Sequence, residues 1–296
     1  MAVGLSAAPA TFTRSLFGFA GRTLALQTDD PATEQLAMKA YGSLTTTPGR
    51  TIHHTAIVRR CADGRLHTQF DRTVIAMGDS PAAVPMLSAY YAVREIFARF
   101  AAAAPQTAAF YGSLVCIDHR GLLLLGPASS GKTLLAVHLA LAGARFLGEE
   151  TSSLDMRTGD VRALARKPSM RESGLAFLPA GIRARIESAD NAIAGPRGRL
   201  WYALGEDVLG LHPSADKVHL SAVAFLGARQ DEPQLRRVEP KQAINQMLHR
   251  CYARPYQLRE VSTLKRAIRK VSFFDVEPGN PQQTAQMLVE AMRSCE

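Results

Sequence analysis

The stretch GPASSGKT, Gly126 to Thr133, dictates more local structure than any other part of the chain. Gly-x-x-x-x-Gly-Lys-Thr asks the backbone to curl between a strand and a helix. Gly126 and Gly131 allow that curl, so that successive N–H groups converge on one centre. The apolar run Leu122–Leu125 enters as a strand. TLLAVHLALAGA, residues 133–144, leaves as a helix of strong formers that stops at Gly143 or shortly after. The helix begins at Lys132, and its N-terminal partial positive charge faces the same centre. Such a cradle suits phosphate. Lys132 adds a full charge near the β and γ phosphates, and Thr133 presents a hydroxyl to Mg²⁺. Ser129 and Ser130 are small enough to add donors. The expectation is therefore ATP and Mg²⁺ as cofactors. Gly126, Ser129, Ser130, Gly131, Lys132 and Thr133 would bind ATP, and Thr133 the metal as well. The bland alternative is a glycine turn between strand and helix.

A phosphate cradle is not a catalyst without an acid to hold metal or to position the nucleophile. Two acidic pairs are candidates. Glu149-Glu150 end RFLGEE, just after the helix. Asp231-Glu232 lie four residues beyond the strand SAVAFLG. An acid that meets Mg²⁺ belongs at a strand's end, which favours Glu149-Glu150. Adjacent strand residues point to opposite faces, so the two glutamates can share one site only if the strand ends or bends there. Otherwise they are a solvated acidic pair.

Elsewhere the pattern implies an α+β layout. FTRSLFGFAGRTLALQT, residues 12–28, reads as a strand-and-turn entry, and a polar stretch with Pro31, Pro48 and Gly49 follows. TAIVRR and RLHTQFD flank Ala62-Asp63-Gly64, a hairpin signal. Ser80-Pro81 opens a long helix whose apolar face, Met86, Tyr90, Val93, Phe97 and Phe100, runs to about Pro105. SLVCIDHRGLLLL reads as two strands joined by Asp118-His119-Arg120-Gly121. RFLGEETSSLD is one strand, MRTGD a turn and VRALA another strand. Residues 188–210 are loop-like, and KVHLSAVAFLG is a buried strand. Helices near 240–252 and 261–270, the strand VSFFDV and a helix Gln282–Arg293 complete the chain. Residues 1–108 are read as an accessory region and 109–296 as the ATP-binding catalytic domain.

Composition narrows the class. The 296 residues include 47% hydrophobic types, enough to bury a sizeable core. No run approaches the roughly 18 apolar residues of a membrane span, and the N-terminus lacks a signal-peptide pattern. The four cysteines (Cys61, Cys116, Cys251, Cys295) are scattered, which fits a reducing cytoplasm and argues against a zinc site or disulfide framework. The net charge is +9, with 28 Arg against seven Lys. A basic surface attracts acidic partners. Without a motif of interleaved aromatics, nucleic acid is an unlikely one. His53-His54, His67, His138 and His249 lack metal-ligand spacing, and His138 reads as a packed or capping residue. Ser6, Ser88 and the other serines form no nucleophile elbow. Trp201-Tyr202, after Gly195-Pro196-Arg197-Gly198-Arg199, suit either an acceptor lid or a core anchor.

Residues 110–171, FYGSLVCIDHRGLLLLGPASSGKTLLAVHLALAGARFLGEETSSLDMRTGDVRALARKPSMR, resemble HPr kinase/phosphorylase and its relatives. A hairpin enters the cradle, one helix follows, and an acidic pair comes about seventeen residues after the lysine. The tail VSFFDVEPGNPQQTAQML is similar to the closing motif of the HPr-kinase-related branch. The resemblance implies a phosphoenolpyruvate carboxykinase-like P-loop fold with a mixed sheet, and ATP·Mg²⁺ on Gly126–Thr133. It makes Lys132 and Glu149 catalytic, with Glu149 taking the proton of the attacking serine hydroxyl. It puts Glu150 with Thr133 on the metal, and Arg166, Lys167 or Arg171 near phosphate or acceptor. It also implies a homo-oligomer. Two positions depart from the family pattern: Tyr111-Gly112 replaces His-Gly or His-Ala, and Glu149 replaces an Asp one methylene shorter. The glycine-containing C-terminal signature of the bifunctional enzymes is absent, which speaks against phosphorylase activity and against HPr as acceptor. The N-terminal 108 residues are closer to relatives that modify a serine of a small ribosomal peptide, such as a lasso-peptide precursor. The expected activity is transfer of a γ-phosphoryl group to a hydroxyl, with a peptide or small protein as acceptor. The rivals are an NTPase or nucleotide-sensing module, and a pseudokinase.

Overall fold

A computed structural model describes residues 12–61, 63–75, 85–104, 106–188, 192–195, 198–201, 209, 211–252 and 258–294. Ser6, Ala62, Ser80-Pro81, Pro105, Pro196-Arg197, Tyr202 and Cys295 lie outside the described residues, as do the side chains of Met86 and Trp201. The expectations placed on them end there.

The first sheet is mixed, in the order β1 (Thr13–Phe19), β2 (Arg22–Thr28), β3 (His54–Arg60), β4 (Leu66–Phe70) and β5 (Thr73–Ile75). β2 and β3 are parallel, and the other neighbours are antiparallel. A parallel step needs a crossover. Helix α1 (Pro31–Tyr41) supplies it, within the stretch read from sequence only as polar. Its signal was present in Asp30-Pro31. The Asp30 carboxylate accepts from the Thr33 N–H at 2.8 Å, and Pro31 occupies the first turn. The long helix α2 (Pro85–Ala102) packs beside it. Phe97 of α2 stacks on Tyr41 at 3.8 Å and meets Phe17 of β1 edge-on at 4.9 Å.

The second sheet carries β6 (Thr107–Ile117), β7 (Arg120–Leu125), β8 (Arg145–Gly148), β9 (Thr151–Asp155), β10 (Asp160–Ala163), β14 (Val218–Leu226), β15 (Gln234–Arg237) and β16 (Ser272–Glu277). It too is mixed. β7, β14 and β16 run parallel, while the pairs made by β6, β8, β9, β10 and β15 are antiparallel. β10 also pairs with β14, so the sheet curls back on itself. The run Leu122–Leu125 is a strand buried on both faces. Leu122 and Leu124 join the core under α3 (Lys132–Leu141) and the last helix, Pro281–Arg293, through Leu135, Leu139, Leu288 and Met292. Leu123 and Leu125 face the other way, toward Ala243, Met247 and Leu264. Alternation along a strand explains both.

The structure differs from the sequence expectation at three places and adds elements in residues 166–188. The turn between β6 and β7 is only Asp118-His119, both at positive φ, a two-residue hairpin turn with Arg120 and Gly121 already in β7. RFLGEETSSLD is two strands, β8 and β9, with Glu149-Glu150 between them. Residues 166–188 hold β11 (Met170–Arg171), α4 (Glu172–Leu175) and α5 (Ala180–Ser188). The segment read as loop contains a hairpin, β12 (Ala192–Gly195) and β13 (Gly198–Trp201), with β13 also pairing to β11. The later helices are α6 (Pro240–Leu248), α7 (Leu258–Ala267) and α8 (Pro281–Arg293). Among the described residues, no helix is long and apolar enough to cross a membrane.

Candidate functional site

The parallel strands β7, β14 and β16 end side by side, at Leu125, Leu226 and Glu277. Crevices at the carboxyl ends of parallel strands are where open α/β sheets take ligands. A cleft of about 790 Å³ opens there. Its walls include the whole loop Pro127–Gly131, the start of α3, Glu149, Glu150 and Arg166, and the chain just after β14 and β16.

The loop is shaped by close approach. A Cβ on Gly126 would lie 2.6 Å from Ser130 Oγ and 2.9 Å from the Leu226 carbonyl, so only glycine lets β7 turn away beside β14. Gly131 has φ 88° and stands at the head of α3, where no side chain caps the helix. The first-turn N–H groups are thus left to whatever enters the cleft. Ser129 is also left-handed, with φ 68°, and its Oγ accepts from Arg171 at 2.9 Å. Ser130 Oγ is buried without a hydrogen-bond partner among the described residues.

Lys132 folds back on this loop. Its ammonium donates to the carbonyls of Gly126 (2.9 Å) and Pro127 (2.7 Å) and lies 4.7 Å from the centre of the Tyr111 ring. Burial pushes its pKa down to about 8, against the pull of Glu149 and Glu150. The Tyr111 ring therefore lies beneath the lysine. Burial and the two nearby carboxylates raise its hydroxyl to about 12.

The chain bends at the acidic pair. β8 ends at Gly148, Glu150 takes φ 70°, and β9 begins at Thr151. A left-handed glutamate is a strained choice that its surroundings must hold. The bend lets both carboxylates line the cleft while meeting different partners. Glu149 Oε2 accepts from the Thr133 hydroxyl at 2.5 Å. Its Oε1 accepts from the Ser169 N–H (2.8 Å), the Ser169 hydroxyl (2.9 Å) and Arg166 Nη1. Burial raises the Glu149 carboxyl above its usual range, opposed by Arg166 and Thr133. Glu150 turns instead to the N-terminal region. It accepts from Tyr41 of α1 (3.4 Å) and Tyr90 of α2 (3.2 Å), and Arg166 Nε lies 3.0 Å from its Oε2.

Lys132, Glu149, Glu150 and Arg166 are all buried. Two cations thus face two anions, and Arg166 bridges the anions. Buried charge is tolerated only when balanced in this way. The sequence had grouped Arg166 with Lys167 and Arg171 as phosphate or acceptor contacts. Arg166 engages the acidic pair, Arg171 reaches the cradle through Ser129, and the Lys167 N–H bonds the Ala40 carbonyl away from the cleft. Asp231 and Glu232 are exposed and do not line the cleft. His138 is packed, its Nε2 3.1 Å from the Phe177 carbonyl, and burial lowers its pKa. Sequence reasoning did not find Tyr41, Tyr90 or Ser169. They lie far from the pair in sequence, and no local pattern marks them.

The donor set fits MgATP. The loop is a cradle that a Cβ would fill, and the uncapped helix start and Lys132 supply positive charge. Among the described residues no cluster of three or more His, Cys, Asp or Glu could hold a metal ion by itself. Mg²⁺ does not need one, since it keeps waters and takes one or two protein oxygens beside those of phosphate.

No protein-family model and no curated protein matches the chain. Among solved structures it is similar to the HPr(Ser) kinase/phosphatase of Coxiella burnetii, at 14% identity and a TM-score of 0.33, over 62% of this chain and 95% of that one. Likeness at this level fixes neither the fold nor the reaction of this chain.

Proposed function

We propose that this chain is an ATP-dependent kinase that transfers the γ-phosphoryl group to a hydroxyl, with a serine of a peptide or small protein as the acceptor class. Residues 109–296 form the catalytic domain in this reading, with residues 1–108 as its accessory region. One observation carries it: beside the glycine loop a buried carboxylate, Glu149, lines the cleft and accepts a hydrogen bond from the Thr133 hydroxyl at 2.5 Å. A carboxyl whose proton affinity is raised by burial suits a general base.

Gly126, Ser129, Ser130 and Gly131 hold the phosphates with backbone and hydroxyl donors, and the start of α3 faces them. Lys132 leaves the carbonyls of Gly126 and Pro127 to meet the β and γ phosphates. The Thr133 hydroxyl is the protein oxygen that would hold Mg²⁺, which when bound neutralises phosphate charge. Glu149 Oε2 takes the proton of the acceptor hydroxyl. Arg166 and Ser169 fix that carboxylate through Oε1, so that the base is aimed before the acceptor arrives. Glu150 was expected on the metal beside Thr133. Here it is assigned to positioning, because its oxygens meet Tyr41, Tyr90 and Arg166. Arg171 and Arg250 line the cleft and suit an acidic segment beside the acceptor serine. A homo-oligomer rests on the family resemblance alone.

The test is ADP release with and without serine-containing peptides, in the wild type and in Lys132→Ala. Release that rises with peptide and vanishes in Lys132→Ala supports transfer. Release that ignores every peptide favours a nucleotide-hydrolysing module, and tight ATP binding without release favours a pseudokinase.

A further inference from the structure

The glycine loop forms only part of the cleft wall. Beyond the loop its wall carries an aromatic ring that a core would not leave open. Phe177 is 38% exposed. The Arg229 guanidinium lies over that ring, 4.0 Å from its centre. The two residues come from different sides. Phe177 follows α4, while Arg229 stands three residues beyond the end of β14. Both line the same cleft as the glycine loop.

The backbone that carries the ring is anchored. The Phe177 N–H bonds the Gly174 carbonyl at 3.1 Å, and its carbonyl accepts from His138 Nε2 at 3.1 Å. His138 is buried on α3, six residues after Lys132. At about 1.5 Å per residue that is roughly 9 Å along the helix axis. A packed histidine thus ties the backbone that carries the ring to the helix that leaves the cradle.

Resting on the nucleotide reading above, we propose that Phe177 and Arg229 form the nucleobase subsite, with the planar base stacking on this pair while its phosphates occupy Gly126–Thr133. An aromatic face and a guanidinium plane both bind flat π systems without demanding a particular base. The subsite therefore confers affinity for nucleotides over bare polyphosphate, and only weak selection among purines. Nearby, the cleft is walled by Leu226–Ala228, Pro278, Gly279 and Pro281, short or apolar groups that leave room for a flat ring.

Calorimetric titration of the full chain with MgATP and with magnesium tripolyphosphate tests this directly. The wild type should bind ATP more tightly than tripolyphosphate. Phe177→Ala and Arg229→Ala should each weaken ATP about tenfold, in line with base stacking, and leave tripolyphosphate within twofold. Phe177→Trp should restore ATP binding. Equal wild-type affinity for the two ligands would overturn the subsite while leaving the phosphate cradle intact. So would variants that bind ATP normally, which would place the pair on the acceptor side, and variants that lose both ligands alike. A wild type that binds neither would defeat the nucleotide reading itself, and the subsite with it.

Discussion

Glu149 and Glu150 are neighbours in the chain that serve two regions of the molecule. On the cradle side, Glu149 meets a hydroxyl of α3 and the Ser169 segment, at the wall of a cleft open to ligands. On the N-terminal side, Glu150 meets tyrosine hydroxyls of α1 and α2, whose own packing on Phe97 and the first sheet is buried. The difference lies in how each side is held. The cradle side is left-handed backbone and an uncapped helix start. The N-terminal side is closed by aromatic packing, and the cluster there includes Leu164 and Ala165 from the segment that also bears Arg166. The N-terminal region therefore braces the acidic pair, and Arg166 couples the two sides.

The largest expected effect separates the two carboxylates by rate. Glu149→Gln should lower the transfer rate by about 10²–10⁴-fold, the range of a lost general base, with ATP affinity within threefold. Glu150→Gln should lower it less than tenfold. Equal losses in steady-state kinetics would break the comparison.

Next is the coupling residue. Arg166→Met removes the cation that bridges the two buried carboxylates and should destabilise the fold by about 3–5 kcal/mol in chemical denaturation. An unchanged midpoint would mean that the acids do not depend on it.

Lys132 gives a smaller, pH-dependent effect confined to the cradle side. With its pKa pushed down to about 8, the ammonium is charged below that value and loses its proton above it. ATP affinity should therefore fall as pH rises from 7 to 9, about tenfold if the charge dominates binding. Lys132→Arg should flatten the profile, because arginine stays charged. A flat wild-type profile would show that the lysine is not the titrating group.

The smallest effect belongs to the N-terminal side. Tyr41→Phe and Tyr90→Phe each remove one hydrogen bond to Glu150, and should cost about 1 kcal/mol apiece with ATP binding unchanged. A lost ATP affinity in the double variant would mean that Tyr90, which lines the cleft, contacts the nucleotide.

Much of the cradle side was legible in the sequence because its chemistry is local. Eight consecutive residues specify the loop, and the Glu149-Glu150 pair stands where a strand had to end or bend. The bend occurs, with Glu150 left-handed. The N-terminal side was hidden for the opposite reason. Tyr41 and Tyr90 read as apolar-face or polar-stretch residues, and only the packing of α1 against α2 brings their hydroxyls to a residue more than sixty positions away or nearly so. Helix α1 was hidden because the stretch after Thr28 reads as polar, and its one local signal is the cap Asp30-Pro31. The hairpin β12–β13 escaped because glycine and arginine mask the alternation that marks a strand.

The central claim is that the cleft moves a phosphoryl group and that Glu149 enables the move. Intact-mass analysis after incubation with ATP·Mg²⁺ and serine-containing peptides, including those encoded beside this gene, tests it most directly. The wild type and Glu150→Gln should add a phosphate to a peptide serine, while Glu149→Gln should add almost none. A Glu149→Gln protein that phosphorylates as fast as the wild type would contradict it.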